Sequence, residues 1–166
     1  IGGQHVGKVM PATKIIEICN ALPLPVILLG GPEDYETGKL IEQGSDHEVK
    51  NTCGELSLNE SASLVKQAEV VISHDTGLMH IAAAFKKPVI SIWGATVPEF
   101  GMYPYMPGKG SKIIEPKDYR DRPYSKLGDR KWYKPPFKGM EKIDVKEVKQ
   151  AVEEALDLTK TTEPGA

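Results

Sequence analysis

Thiols are almost missing from this chain: of its 166 residues only Cys19 and Cys53 are cysteine. Each falls in an expected helix or at a strand edge, so a disulfide framework is excluded, a reducing compartment is favoured, and both thiols are expected to be inert. An excess of either charge is lacking too. The 21 basic and 23 acidic residues leave a net charge of -2, which gives no bulk attraction for nucleic acid or an anionic membrane; any anion site must be local. No apolar run approaches the roughly 20 residues that span a bilayer, and no charged-then-apolar signal segment opens the chain, so a soluble protein is expected. Internal repeats and low-complexity tracts are also lacking.

What is present fits one domain of ordinary size. Residues 26–29, 48–51, 70–73 and 89–93 read as strands, and each of the first three is followed by helical spacing, the pattern of βαβ units and a parallel sheet. Pro11 suits the start of a helix whose Ile15, Ile16, Cys19 and Leu22 share a face until Pro23 stops it. Ser57 and Glu60 form a capping-box pattern ahead of Ala62, Leu64 and Val65. Asp144 can cap a last helix with Val148, Val152, Ala155 and Leu156 in one stripe. The expected domain is 1–158, with a frayed tail over 159–166.

Two features depart from a regular α/β domain. Ile1-Gly2-Gly3-Gln4-His5 resembles the exit of a strand whose body is missing, so a cut fragment is expected. Residues 97–139 hold seven of the 13 prolines and read as a long irregular excursion, with only 112–114 as a short strand.

The most informative segment is Val70-Val71-Ile72-Ser73-His74-Asp75-Thr76-Gly77-Leu78-Met79-His80, followed by Ile81-Ala82-Ala83-Ala84: a buried strand passing through a polar turn directly into a helix. In a parallel sheet the ligand crevice lies outside the carboxyl ends of the strands, where this turn belongs. Unpaired amides of Thr76, Gly77 and Leu78 at a helix start offer donors and the positive end of a dipole, and Gly77 lets an anion approach closely. His80, one turn on, and the Thr76 hydroxyl could join them, and a diphosphate is the natural ligand. Taken singly, Asp75 reads equally as a helix cap, Gly77 as a turn residue and His80 as a satisfied surface histidine; their conjunction in one strand-turn-helix is what indicates a site.

Asp-Thr-Gly-Leu-Met-His with Ile-Ala-Ala-Ala, then Lys87-Pro88-Val89-Ile90 and Trp93-Gly94-Ala95-Thr96, resembles the donor-binding domain of glycosyltransferase family nine, the heptosyltransferases of lipopolysaccharide synthesis. Gly2-Gly3-Gln4-His5 with Lys8 and Pro11, and Leu29-Gly30-Gly31-Pro32-Glu33-Asp34, extend the resemblance over nearly the whole chain. It implies an α/β, Rossmann-like parallel sheet with helices on both faces, the C-terminal half of a GT-B fold, with the N-terminal acceptor domain absent. Carried over by position, Lys8, Asp75, Thr76, Gly77, Leu78, His80 and Thr96 would hold the donor and its phosphates. Glu33, Asp34, Leu56 and Ser57 would meet the nucleoside. Lys8 reads alternatively as a solvated loop lysine, and Glu33 and Asp34 as charge at a helix start. Gly7 and Val9 stand where many relatives have threonine and arginine around the loop lysine, which puts donor affinity and identity in doubt. The stretch from Arg122 to Gly128 resembles a region bearing cysteine in some relatives; none is here, so a thiolate metal site is excluded.

The resemblance implies inverting glycosyl transfer from a nucleotide sugar, ADP-heptose or a related donor, in lipopolysaccharide core synthesis. No cofactor and no metal are expected, and no residue of this fragment is expected to be catalytic, because the general base belongs to the missing half. The lipid-linked saccharide acceptor would engage that half, peripheral membrane contact would belong to the full-length protein, and the location would be cytoplasmic, at the inner face of the inner membrane. Two other readings stay open: a nucleotide-sugar epimerase of similar architecture, and an inactive nucleotide-binding module.

Overall fold

Short β-branched runs form the strands, and capped amphipathic stretches between them form the helices. The computed structural model describes residues 1–3, 5–117, 122–123 and 139–161. The order of elements is α1 (Ala12–Ala21), β1 (Val26–Leu28), α2 (Tyr35–Gly44), β2 (Val49–Asn51), α3 (Leu58–Gln67), β3 (Val71–His74), α4 (Gly77–Ala84), β4 (Val89–Ile92), β5 (Lys112–Ile114) and α5 (Val145–Lys160). Every strand pairing is parallel: β1 lies beside β2 with Val26 opposite Val49, and β3, β4 and β5 follow in order with Val71 opposite Val89 and Ile90 opposite Lys112. The ladder falls into a two-stranded and a three-stranded part. The opening residues join them, since the Ile1 amine donates to the Leu29 carbonyl after β1 while Gly2 shares a backbone hydrogen bond with His74 at the end of β3.

Helices cover both faces. α1 packs on α2 and on α5, and α3 packs on α4. On the first side Ile15, Ile18 and Cys19 of α1 and Val148, Ala151 and Val152 of α5 meet Leu28, Val49, Ile90, Ile92 and Ile114. On the other, Val65, Met79 and Ala82 meet Val71, Val89 and Trp93. Residues 89–93 are buried throughout and alternate between the two cores, as a strand sandwiched between helix layers must. Full burial of a side chain such as Ile90 or Ile92 contributes about 2 kcal/mol each.

The expected caps are in place. The Ser57 hydroxyl accepts from the Glu60 amide at 3.3 Å while the Ser57 amide donates to Glu60 Oε2 at 2.8 Å. Asp144 accepts from the Lys146 amide at 2.9 Å. α5 continues to Lys160, past the expected boundary at 158, and Thr159 donates from its hydroxyl back to the Leu156 carbonyl. Within the excursion, Pro98–Phe100 forms a single 3₁₀ turn and β5 forms where a short strand is expected; residues 118–121 and 124–138 lie outside the described set. Among the described residues no helix is long and apolar enough to cross a membrane.

Candidate functional site

The carboxyl end of β3 delivers Asp75 and Thr76 into the start of α4. Thr76 occupies the N-cap position, yet its side chain makes no capping hydrogen bond. Its hydroxyl turns instead to Ser73 Oγ at 3.3 Å. Among the described residues none accepts from the amides of Thr76, Gly77 or Leu78, and the first bond of the helix runs from the Met79 amide to the Thr76 carbonyl. Gly77 is exposed, and a methyl group placed on its α-carbon would meet nothing within 4 Å. This helix start therefore presents its dipole and amide donors to open space.

Lys8 ends a 3₁₀ turn of Val6–Lys8, held by its amide on the His5 carbonyl at 2.9 Å. It is not a solvated loop lysine. Its side chain is 9% exposed and its Nζ sits against Oδ2 of Asp75, whose side chain is 6% exposed. That oxygen has no hydrogen-bond partner of proper direction, so the contact is a charge pairing with donor capacity on the ammonium left over. Burial of both groups gives the attraction a low-dielectric setting. Asp75 is therefore the counter-ion of Lys8, and Thr76 takes the cap position. The neighbouring loop is close: a Cβ on Gly3 would stand 3.9 Å from Thr76 Cγ2.

His80 lies one turn along α4 and is exposed, while Leu78 packs partly on the second core. Thr96, after β4, is 1% exposed; its carbonyl accepts from Arg122 Nη2 at 2.5 Å, and Arg122 Nη1 pairs with Glu115 at 2.8 Å. The Thr96 side chain thus sits beneath the crevice surface rather than on it. At the end of β1, Asp34 accepts from the Gly31 amide at 2.9 Å. A Cβ on Gly2 would fall 1.9 Å, and one on Gly30 2.7 Å, from its Oδ2, so both turns need glycine to let this carboxylate through. Glu33 beside it is exposed. Leu56 is half-buried, and the Ser57 hydroxyl is committed to Glu60, donating to its carboxylate at 2.6 Å. The structure thus gathers Lys8, Asp75, Thr76 and Gly77 closely, and holds Glu33 and Asp34 against the same opening loop through Gly2.

Sequence reasoning passed over His74. Its ring is enclosed, and burial first, then the ammonium of Ile1, lowers its pKa from 6.5 to about 3, against the hydrogen bond to Gly2 that raises it. It is neutral near pH 7 and ties β3 to the Gly2-Gly3 loop. Its place directly before Asp75 was the available signal. Arg122 was also missed, because nothing local links it to Thr96, 26 residues earlier. The rest of the stretch singled out with it, from Tyr124 to Gly128, lies outside the described residues. Burial pushes the Cys19 thiol up to about 11 and raises that of Cys53, as expected of inert thiols.

A family model for glycosyltransferase family 9 (heptosyltransferase) matches residues 8–130, which is 123 of 166 residues. The chain is 34% identical over 91 residues to lipooligosaccharide heptosyltransferase 2 of Haemophilus influenzae, covering 52% of this chain and 26% of that protein. It is 31% identical over 122 residues to lipopolysaccharide heptosyltransferase 3 of Escherichia coli, covering 71% and 35%. Among solved structures, the family 9 glycosyl transferase of Veillonella parvula superposes with a TM-score of 0.76 at 21% identity over 95% of this chain and 44% of that one, which speaks for the fold. E. coli heptosyltransferase WaaC with ADP superposes with a TM-score of 0.67 at 25% identity over 93% and 42%. The chain spans about a quarter to a third of the length of these curated relatives and under half of these solved chains. The chain belongs to glycosyltransferase family 9, the heptosyltransferase family.

Proposed function

We propose that this chain is the donor-binding domain of an inverting heptosyltransferase of lipopolysaccharide core synthesis, gripping the diphosphate of ADP-heptose or a related nucleotide sugar at the start of α4. The observation that carries this reading is the uncapped helix start over open space, with the buried Lys8 ammonium held beside it on Asp75. Three N–H donors on Lys8 allow it to keep Asp75 and still reach a phosphate oxygen. The amides of Thr76, Gly77 and Leu78 would take other oxygens, with exposed His80 at the margin and Thr96 supporting the loop from below. Glu33 is free to accept paired ribose hydroxyls; Asp34 shapes the loop around Gly2, Gly30 and Gly31; Leu56 and Ser57 flank the base. A relative's structure holding ADP supports a diphosphate ligand for this half.

In the proposed transfer an acceptor hydroxyl oxygen bonds to the anomeric carbon as the anomeric C–O bond to phosphate breaks on the opposite face. The bonding pair leaves on the diphosphate, where Lys8 and the amides stabilise the growing charge, and the hydroxyl proton goes to a base outside this domain. Asp75 is occupied by Lys8 and does not supply that base. The lipid-linked acceptor would enter from the other domain of the full-length protein, at the cytoplasmic side of the inner membrane. Isothermal titration of ADP, UDP and GDP into the full-length protein should show one preferred base, with ADP favoured. Absence of binding by all three would sink the reading.

A further inference from the structure

At the opposite end of the sheet, where the chain enters β4 and β5, lies a group of side chains that donor binding does not use. α4 ends with the Lys86 amide on the Ala83 carbonyl and the Lys87 amide on the Ala82 carbonyl, both at 3.0 Å. Lys86 takes the left-handed conformation (φ 57°) that glycine usually fills at this point. Met106 is left-handed as well (φ 45°). The two turns are fastened together: Lys86 Nζ donates to the Met106 carbonyl at 2.8 Å, and the Gly108 amide to the Lys87 carbonyl at 2.9 Å. Met102 packs on the core and Pro104 is buried, so the strap is anchored from beneath. Yet Tyr105 is 75%, Met106 61% and Phe85 40% exposed. A backbone conformation unfavourable for side chains bearing a Cβ is thus maintained while large apolar groups face water.

Charge surrounds them on one sign. Residues 85–111 contain Lys86, Lys87 and Lys109 and a single carboxylate, Glu99, which lies on the 3₁₀ turn just beyond the carboxyl end of β4. We propose that this face docks on an anionic lipid bilayer, with Phe85, Tyr105 and Met106 entering the headgroup boundary and the three lysines meeting lipid phosphates. Tyrosine suits that boundary because its ring is apolar and its hydroxyl wet. Three apolar side chains are few beside the roughly 20 residues a side of a specific protein interface, which favours lipid over a second protein.

Co-sedimentation of the full-length protein with vesicles tests this. The protein should bind phosphatidylethanolamine–phosphatidylglycerol vesicles at low salt, bind phosphatidylcholine vesicles weakly, and be released by high salt. The double variant Tyr105→Ser/Met106→Ser should lower the bound fraction at least about fivefold with circular dichroism unchanged. Lys86→Gly/Lys87→Ser/Lys109→Ser, which keeps a residue suited to the left-handed turn, should remove the salt-sensitive part. Should the double variant fold poorly, Tyr105→Ser alone changes the most exposed of these side chains and should still weaken binding. Equal binding by wild type and variants, equal binding to both vesicle types, or none, would overturn the proposal. So would self-association in sedimentation velocity abolished by Tyr105→Ser/Met106→Ser, which would give this face to a second copy of the chain.

Discussion

Acidifying the solution from about pH 7.5 to about pH 5 should cost the fold about 2 kcal/mol through His74 alone. The folded ring has its pKa lowered from 6.5 to about 3, chiefly by burial. An unfolded chain takes up a proton on this ring near pH 6.5 while the folded chain does not. Below that pH the unfolded state binds more protons, so stability is complete above 6.5 and is lost progressively as pH falls toward 3. At 1.36 kcal/mol per unit, the 1.5 units between 6.5 and about pH 5 give the stated figure. Most carboxylates titrate below this window, which keeps the signal clean. Urea unfolding at the two pH values, followed by tryptophan fluorescence, reads it. His74→Gln keeps a donor for the Gly2 backbone without titrating, so its loss over the same interval should be smaller by about 2 kcal/mol. An identical loss in variant and wild type would refute the assignment of a buried neutral ring.

Lys8→Met strands Asp75 in the interior and should destabilise by about 3 kcal/mol in urea unfolding, with Asp75→Leu added to it recovering most of the loss. Gly77→Ala adds a methyl that meets no protein atom within 4 Å; the melting temperature should hold while ADP affinity in calorimetry falls about tenfold, because that space is where phosphate approaches. Gly38→Ala should lower stability by about 2 kcal/mol despite alanine's better helix propensity, since its Cβ would come 2.1 Å from Asn51 Oδ1, the acceptor for the Cys53 amide. Ser57→Ala should cost about 1 kcal/mol, read as a shift in thermal unfolding.

Elements specified by neighbouring residues were legible in the sequence. β1 to β5 fall within a residue of the β-branched runs that announce them, and α3 and α5 begin where Ser57 and Asp144 can cap them. The strand-turn-helix around Gly77 was legible for the same reason: amide exposure at a helix start follows from local backbone geometry. Contacts between distant segments were not. The pairing of Lys8 with Asp75 joins residues far apart in sequence, and neither side chain's pattern announces that burial would take both. The passage of Asp34 between Gly2 and Gly30 depends on how two turns meet in space. Thr96 falls where expected along the chain, but its burial follows from packing and from Arg122, which approaches from the irregular excursion.

The most direct measurement compares ADP with adenosine by calorimetry on the full-length protein, in wild type and in Lys8→Met. If the α4 amides and Lys8 grip the diphosphate, ADP should bind at least about 100-fold more tightly than adenosine, and the variant should narrow that gap while leaving adenosine unchanged. Equal affinity for the two ligands, or an ADP affinity indifferent to Lys8, would contradict a phosphate site at this helix start.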